Sequence, residues 1–220
     1  MKTILSWSSG KDSAWSLQAL RGDPSIEVAG LLTTINEAFD RVAMHGVRRQ
    51  ILEAQAEAAG IPLHVVPLPW PCSNDDYERL MGDYVRTQVS AGIEAMAFGD
   101  LFLEDIRSYR EQKLHGTGLK PIFPLWGKPT RALAEEMIDG GLVTYIATID
   151  PKKLDANFAG RVFDRAFLDD LPAGIDPCGE NGEFHTCVAA GPMFSHPLSI
   201  RPGKIVTRDG FVFADLILSD

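Results

Sequence analysis

The apolar positions of this chain alternate between short continuous runs and longer stretches with helical spacing. Thr3 to Trp7 is dense enough for a buried strand, and Ala14, Leu17 and Leu20 then recur at helical intervals. After a Gly22-Asp23-Pro24 turn, Ile26 to Ile35 reads as a second buried strand. Val47, Ile51 and Ala58 mark the apolar face of a helix from about Gly46 to Ala59, Gly60 stands at its C-cap, and Leu63 to Leu68 follows as a third strand. Ser73 or Asn74 caps a helix whose face is Tyr77, Leu80, Met81, Tyr84 and Val85; Gly92 stops it, and Ile93 to Phe98 is a fourth strand.

Strands alternating with helices of this length imply right-handed crossovers and a parallel sheet covered on both faces, with ligands at the strands' carboxyl ends. The expected fold class is therefore α/β: a doubly wound, Rossmann-like parallel sheet over residues 1–126, then a smaller α+β domain over 127–220. A helix over Leu101 to Leu114 and a short strand within Lys120 to Trp126 close the first domain, and Pro129-Thr130 opens a helix that Gly140-Gly141 ends. Leu142 to Ile149 is again β-rich. Leu154, Phe158, Val162, Phe163 and Phe167 have the spacing of a helical core. Asp209-Gly210 between Lys204–Arg208 and Phe211–Leu218 signals a β-hairpin. The change of pattern after Trp126 predicts two lobes with a cleft between them.

The break between the first strand and the first helix is Ser8-Ser9-Gly10-Lys11-Asp12-Ser13. There the first amides of a helix lack intrahelical partners and the macrodipole is positive, so an anion is the natural occupant. Gly10 permits close backbone approach, Ser8, Ser9 and Ser13 offer hydroxyls, and Lys11 brings a flexible charge for phosphate oxygens. Ser, Gly and Asp also suit a plain helix cap, but a cap leaves the lysine unexplained. The hexapeptide is not a Walker loop, and no GxGxxG occurs.

Gly99-Asp100 follows the fourth strand and shares the loop's rim if the sheet reverses direction between strands one and four. Asp100 is then a metal or nucleotide contact, or else the N-cap of the next helix. Arg107, Arg110 and Lys113 form a local basic patch on that helix. Asp176 to Thr186 is dense in turn-forming and ionisable residues within an apolar half, which suits either a site or a surface turn. Glu180, Asn181, Glu183 and His185 are its candidate substrate contacts, and His45 is a weaker one.

Charge narrows the partners. Lys and Arg total 21 against 30 Asp and Glu, a net charge of -9 that opposes a nucleic-acid phosphate backbone. The apolar fraction of 45% supports a real core, no run approaches a membrane span, and the chain enters a strand at once without a leader pattern, so the expected location is the cytoplasm. Cys72, Cys178 and Cys187 suggest neither a disulfide framework nor a zinc ribbon.

The hexapeptide resembles the SGGxDS pyrophosphate loop of the N-type ATP pyrophosphatases, with Ser9 in place of a glycine. Phe98 to Arg110 and Lys120 to Trp126 resemble the second block of the diphthine-ammonia ligase-like branch. Residues 179–186 resemble its GEGGE(F/Y) motif, with Asn181 in place of a glycine; Cys187 stands where an aromatic is usual. The resemblance implies an adenine nucleotide alpha hydrolase-like fold and an ATP-dependent ligase. A carboxylate attacks the α-phosphorus of ATP, pyrophosphate leaves, and ammonia displaces AMP to form an amide. On that reading Ser8, Ser9, Gly10, Lys11, Asp12, Ser13 and Asp100 hold the nucleotide, with Lys11, Asp12 and Ser13 catalytic. Asp12 and Asp100 hold Mg2+, and Glu180, Asn181, Glu183, His185, Arg107 and Arg110 meet the substrate. The implied partners are ATP, ammonia and a carboxylate acceptor, on a translation factor in the best-known member; a homo-oligomer is left open. The rival readings are a tRNA-modifying adenylase and a nucleotide-binding regulatory module without turnover.

Overall fold

In the computed structural model, residues 1–42 and 46–219 are described. The first half alternates β1 (Lys2–Ser6), α1 (Lys11–Arg21), β2 (Glu27–Asn36), the short β3 (Arg41–Val42), α2 (Arg49–Ala59), β4 (Leu63–Leu68), α3 (Asn74–Ser90), β5 (Ala95–Ala97), α4 (Glu104–Leu114) and β6 (Lys120–Ile122). Five strands run parallel in the spatial order β4, β2, β1, β5, β6, and β3 pairs antiparallel with the end of β2. The chain builds outward from β1 and then crosses back to β5, which makes the β1/β5 boundary the switch point where ligands bind in such sheets.

Neighbouring residues on each strand enter opposite cores, as a doubly covered sheet requires. Leu5, Leu31 and Ala97 join α1 and α2 on one face; Ile4, Leu32 and Met96 join Val85 of α3 and Leu114 of α4 on the other.

The second half continues with α5 (Thr130–Asp139), β7 (Val143–Ile149), α6 (Arg165–Asp170), β8 (Phe184–Ala190), β9 (Ile200–Arg208) and β10 (Phe211–Leu218). Its antiparallel sheet has the order β8-β7-β10-β9 and is separate from the first. The two halves nevertheless share one buried core: Leu17, Leu20, Ile51 and Ala58 cluster with Ile146, Val188 and Val212. Helices α1 and α2 fill the space between the sheets.

Several sequence expectations are corrected. Residues 154–167 do not form one helix. Gly160, at φ 79°, breaks the stretch, Val162 bridges to Tyr145 of β7, and Asp164 caps α6 by accepting from Phe167 N at 2.7 Å. The apolar residues still converge, with the Phe163 and Phe167 rings 5.5 Å apart and Phe167 and Phe184 5.2 Å apart. The polar stretch 176–186 is not loop throughout, because Phe184 pairs with Ile149 and starts β8. Leu103 is the N-cap of α4, so Asp100 does not cap it. His45 lies outside the described residues.

Candidate active site

Strand β1 ends at Ser6 and the chain reaches α1 through Trp7 to Gly10. The Ser13 hydroxyl donates to Gly10 O at 2.9 Å and lies 3.3 Å from Ser8 Oγ, so the loop closes on itself. Ser9 takes φ 70°, a left-handed conformation that a side chain disfavours, whereas Gly10 is extended at φ -87°. Ser9 is fully buried; its hydroxyl has no regular hydrogen-bond partner and faces the Cys187 thiol, which burial pushes up to about 12 against the lowering effect of Ser9.

Lys11 points into the protein. Its side chain is 2% exposed, and Nζ donates to Asp12 Oδ2 at 2.8 Å and to Cys178 O, with the Phe163 and Phe184 rings 5.7 and 5.5 Å away. Burial works against the ammonium, but Asp12, Cys178 and Glu180 outweigh it and raise the Lys11 pKa. Burial raises the Asp12 carboxyl despite Lys11, and Asp12 Oδ1 is buried with no hydrogen-bond partner.

Glycine 99 brings the second rim into contact with the first. A Cβ there would lie 3.0 Å from Asp12 C and 3.1 Å from Ser13 N, so only glycine lets the end of β5 pack on the first turn of α1. Asp100 follows it and accepts from Arg110 Nε at 3.3 Å, and the Arg110 guanidinium lies 4.7 Å from the Phe98 ring centre. Arg107 instead lies over the Phe123 and Trp126 rings, 5.0 and 4.7 Å from their centres, and donates to Glu111.

The 176–186 segment reaches across from the second half. Asp176 Oδ2 accepts from Cys178 N at 3.1 Å and Glu180 N at 2.9 Å, shaping a turn in which Gly179 sits at φ 71°, too close to Phe184 O for any Cβ. The turn delivers Glu180 Oε1 to Leu101 N at 2.8 Å and Thr186 Oγ1 to Lys11 N at 3.0 Å. Burial first, then the charges of Asp12 and Asp100, push the Glu180 carboxyl up to about 7, against the bond from Leu101 N and the charge of Lys11. Burial, with Lys11 and Lys153, pushes His185 down to about 4 and keeps it neutral at physiological pH. Glu183 is buried and holds the turn from inside, accepting from Asp176 N and Asn181 Nδ2, each at 3.1 Å.

Beside the loop, on the α3 and α4 side of the sheet, lies a cavity of ≈ 640 Å³ lined by Ser6, Ser8, Thr33, Met96, Phe98 and Arg110 among others. It borders the phosphate loop at Ser8 and does not reach Lys11. Among the described residues, no group of three or more His, Cys, Asp or Glu could by itself hold a metal ion.

The diphthamide synthase N-terminal domain matches residues 1–121, and the diphthamide synthase C-terminal domain matches residues 129–213. The chain belongs to the diphthamide synthase family. It is similar to the diphthine–ammonia ligase of Bos taurus, 23% identical over 94% of this chain and 85% of that protein. For the enzyme of Homo sapiens the figures are 22%, 94% and 85%, and for that of Danio rerio 24%, 97% and 92%. The solved U34-tRNA thiolase NcsA from Methanococcus maripaludis with its 4Fe-4S cluster superposes with a TM-score of 0.37 at 20% identity, over 63% of this chain and 57% of that one. That likeness carries no argument.

Two residues beside the loop escaped the sequence reading. Asp176 looked like one polar residue among many; only the turn geometry shows it accepting two amides. Gln55 did leave a signal: on the face that carries Ile51 and Ala58 it is the polar residue at a core-facing position. In this family member it is fully buried and bonds to Trp7, Ser9 and Val188.

Proposed function

We propose that this chain is an ATP-dependent amide-forming ligase: it adenylates a carboxylate acceptor, releases pyrophosphate, and uses ammonia to displace AMP. The observation that carries the reading is the seating of the 179–186 motif on the phosphate loop, with Thr186 on the Lys11 amide and Glu180 on the Leu101 amide. Two polar segments far apart in sequence thus meet at one rim, as a two-substrate reaction needs.

In this reading the cavity beside Ser8 receives the adenosine end of ATP and the loop receives its phosphates. The attack of the carboxylate on the α-phosphorus transfers the adenylyl group and frees pyrophosphate, whose negative charge grows as the bond breaks. The Ser8 hydroxyl and the first-turn amides other than that of Lys11 would meet that charge, while the Lys11 amide and the Ser13 hydroxyl, engaged by Thr186 and Gly10 O, hold the loop in shape. Lys11 contributes from behind the loop, as a buried positive charge within the first turn.

Asp12 and Asp100 are the carboxylates that would hold Mg2+. The unpartnered, buried Asp12 Oδ1 fits such an ion, and one or two carboxylates plus phosphates are its usual ligands. Bound there, it would neutralise phosphate charge. Glu180 and Asn181 line the acceptor side, Arg110 steadies Asp100, and Glu183 shapes the turn. His185, held neutral, serves as a hydrogen-bonding group in place of a cation. The acceptor is read as a diphthine-type carboxylate by analogy with the names of the relatives.

The test is product analysis with Mg-ATP, ammonium and candidate acceptors. AMP and pyrophosphate appearing only with acceptor and ammonium support the ligase. ADP and phosphate, or tight ATP binding without turnover under every combination, would replace it with a different nucleotide function.

A further inference from the structure

The phosphate loop contains a residue in an unfavourable backbone conformation. Among the described residues, Ser9, Asp40 and Asp209 are the non-glycine residues at positive φ. Aspartate tolerates that region and both aspartates are exposed, whereas Ser9 is buried, so its conformation must be imposed by its surroundings.

The imposing group is identifiable. Ser9 O accepts from Gln55 Nε2 at 3.1 Å and from Val188 N at 3.0 Å. Gln55 also donates to Val188 O at 2.7 Å and accepts from Trp7 Nε1 at 3.0 Å. An indole N–H only donates, so the Gln55 oxygen must face Trp7 and its two amide hydrogens must face the carbonyls of Ser9 and Val188. The amide has one orientation.

A trans peptide unit points its C=O and N–H in opposite directions. Drawing the Ser9 carbonyl inward, toward Gln55 and β8, therefore turns the Gly10 N–H the other way, to the Ser8 hydroxyl, which borders the cavity and accepts from it at a long 3.4 Å. We propose that Gln55 is a positioning residue for the phosphate loop: by holding the Ser9 carbonyl it aims the Gly10 amide at the phosphate chain of ATP. This rests on the reading that the loop binds those phosphates.

The experiment compares Mg-ATP and adenosine binding to the full chain, with melting curves for every variant. Gln55→Met keeps the volume and loses the donors. The expected result is a loss of about tenfold in Mg-ATP affinity, the scale of one hydrogen-bonded alignment, with adenosine affinity changed less than about twofold. Gln55→Glu, which keeps an acceptor for Trp7, serves as the second variant should Gln55→Met not fold, and the same selective loss is expected.

Rescue separates positioning from packing. Glycine adopts a left-handed conformation without being held, so Ser9→Gly should return Gln55→Met to within about threefold of the Ser9→Gly single variant. Parallel losses for Mg-ATP and adenosine, or no recovery with glycine, would overturn the proposal. Absence of Mg-ATP binding in the unaltered chain would instead overturn the nucleotide reading on which it rests.

Discussion

The backbone amide of Lys11 donates to the hydroxyl of Thr186 at 3.0 Å, across a sequence separation of 175 residues. The start of the phosphate-loop helix is thus satisfied by the antiparallel sheet, and the loop's geometry depends on the second half of the chain being in place.

Thr186→Val removes the acceptor and keeps the shape. A buried amide left unpaired costs about 1–3 kcal/mol, and urea unfolding should show a loss of that size, with Thr186→Ser close to the unaltered protein. Equal stability of the valine and serine variants would mean that the bond contributes nothing.

Lys11 is part of the core, and in the proposed reaction it is also a charge. Lys11→Ala breaks a buried ion pair and empties space beside Phe163 and Phe184, for an expected loss of about 3–5 kcal/mol. Lys11→Met refills the apolar part and should be the more stable variant. Pyrophosphate release should fall about 10² to 10³-fold in both, which separates the electrostatic role from the packing role.

Gly99→Ala tests the contact between the two sides of the rim. Its methyl group would meet the backbone of Asp12 and Ser13 at 3.0–3.2 Å. Backbone cannot swing away as a side chain can, so a cost of about 1–3 kcal/mol is expected in denaturant titrations, together with weaker Mg-ATP binding.

Glu180 and His185 should pull the stability profile in opposite directions. Burial raises Glu180 from 4.5 to about 7, so its neutral form is the one the fold favours; that stabilising contribution is complete below pH 4.5 and is lost as pH rises toward 7. Burial lowers His185 from 6.5 to about 4, so its contribution is present above pH 6.5 and is lost as pH falls toward 4. Glu180→Gln should raise the melting temperature more at pH 8 than at pH 4. His185→Gln should flatten the decline between pH 6.5 and 4. Melting curves against pH check both, and a shared direction would contradict the assignment.

The parallel sheet was legible in the sequence because its signals are local. Burial on both faces makes the centres of β1 and β2 apolar, β4 at the edge is apolar but half-buried, and the intervening helices carry their periodicity on one side. The Asp209-Gly210 hairpin was legible for the same reason, since a tight turn is specified by the residues within it. The phosphate loop could be located because glycine, serines and lysine stand together between a strand and a helix.

Other features depended on partners distant in the chain. Strand β8 hid inside a polar motif because pairing with β7 determines where it begins. The residues from Leu154 to Phe167 matched helical spacing, yet they gather around Phe184 through turns, since burial constrains where side chains end and leaves the path between them open. The direction of Lys11 was not readable from SSGKDS; the carbonyl of Cys178 and two phenylalanine rings from the second half draw it inward. The left-handed Ser9 was equally hidden, because a local rule would place glycine there and only the bonds from Gln55 and Val188 make serine tenable. The sequence by itself determined the elements and the place of the loop, through local periodicity and turn chemistry. The tertiary structure alone decided which way the loop's groups point, because those directions are set by hydrogen bonds and burial between residues up to 175 positions apart.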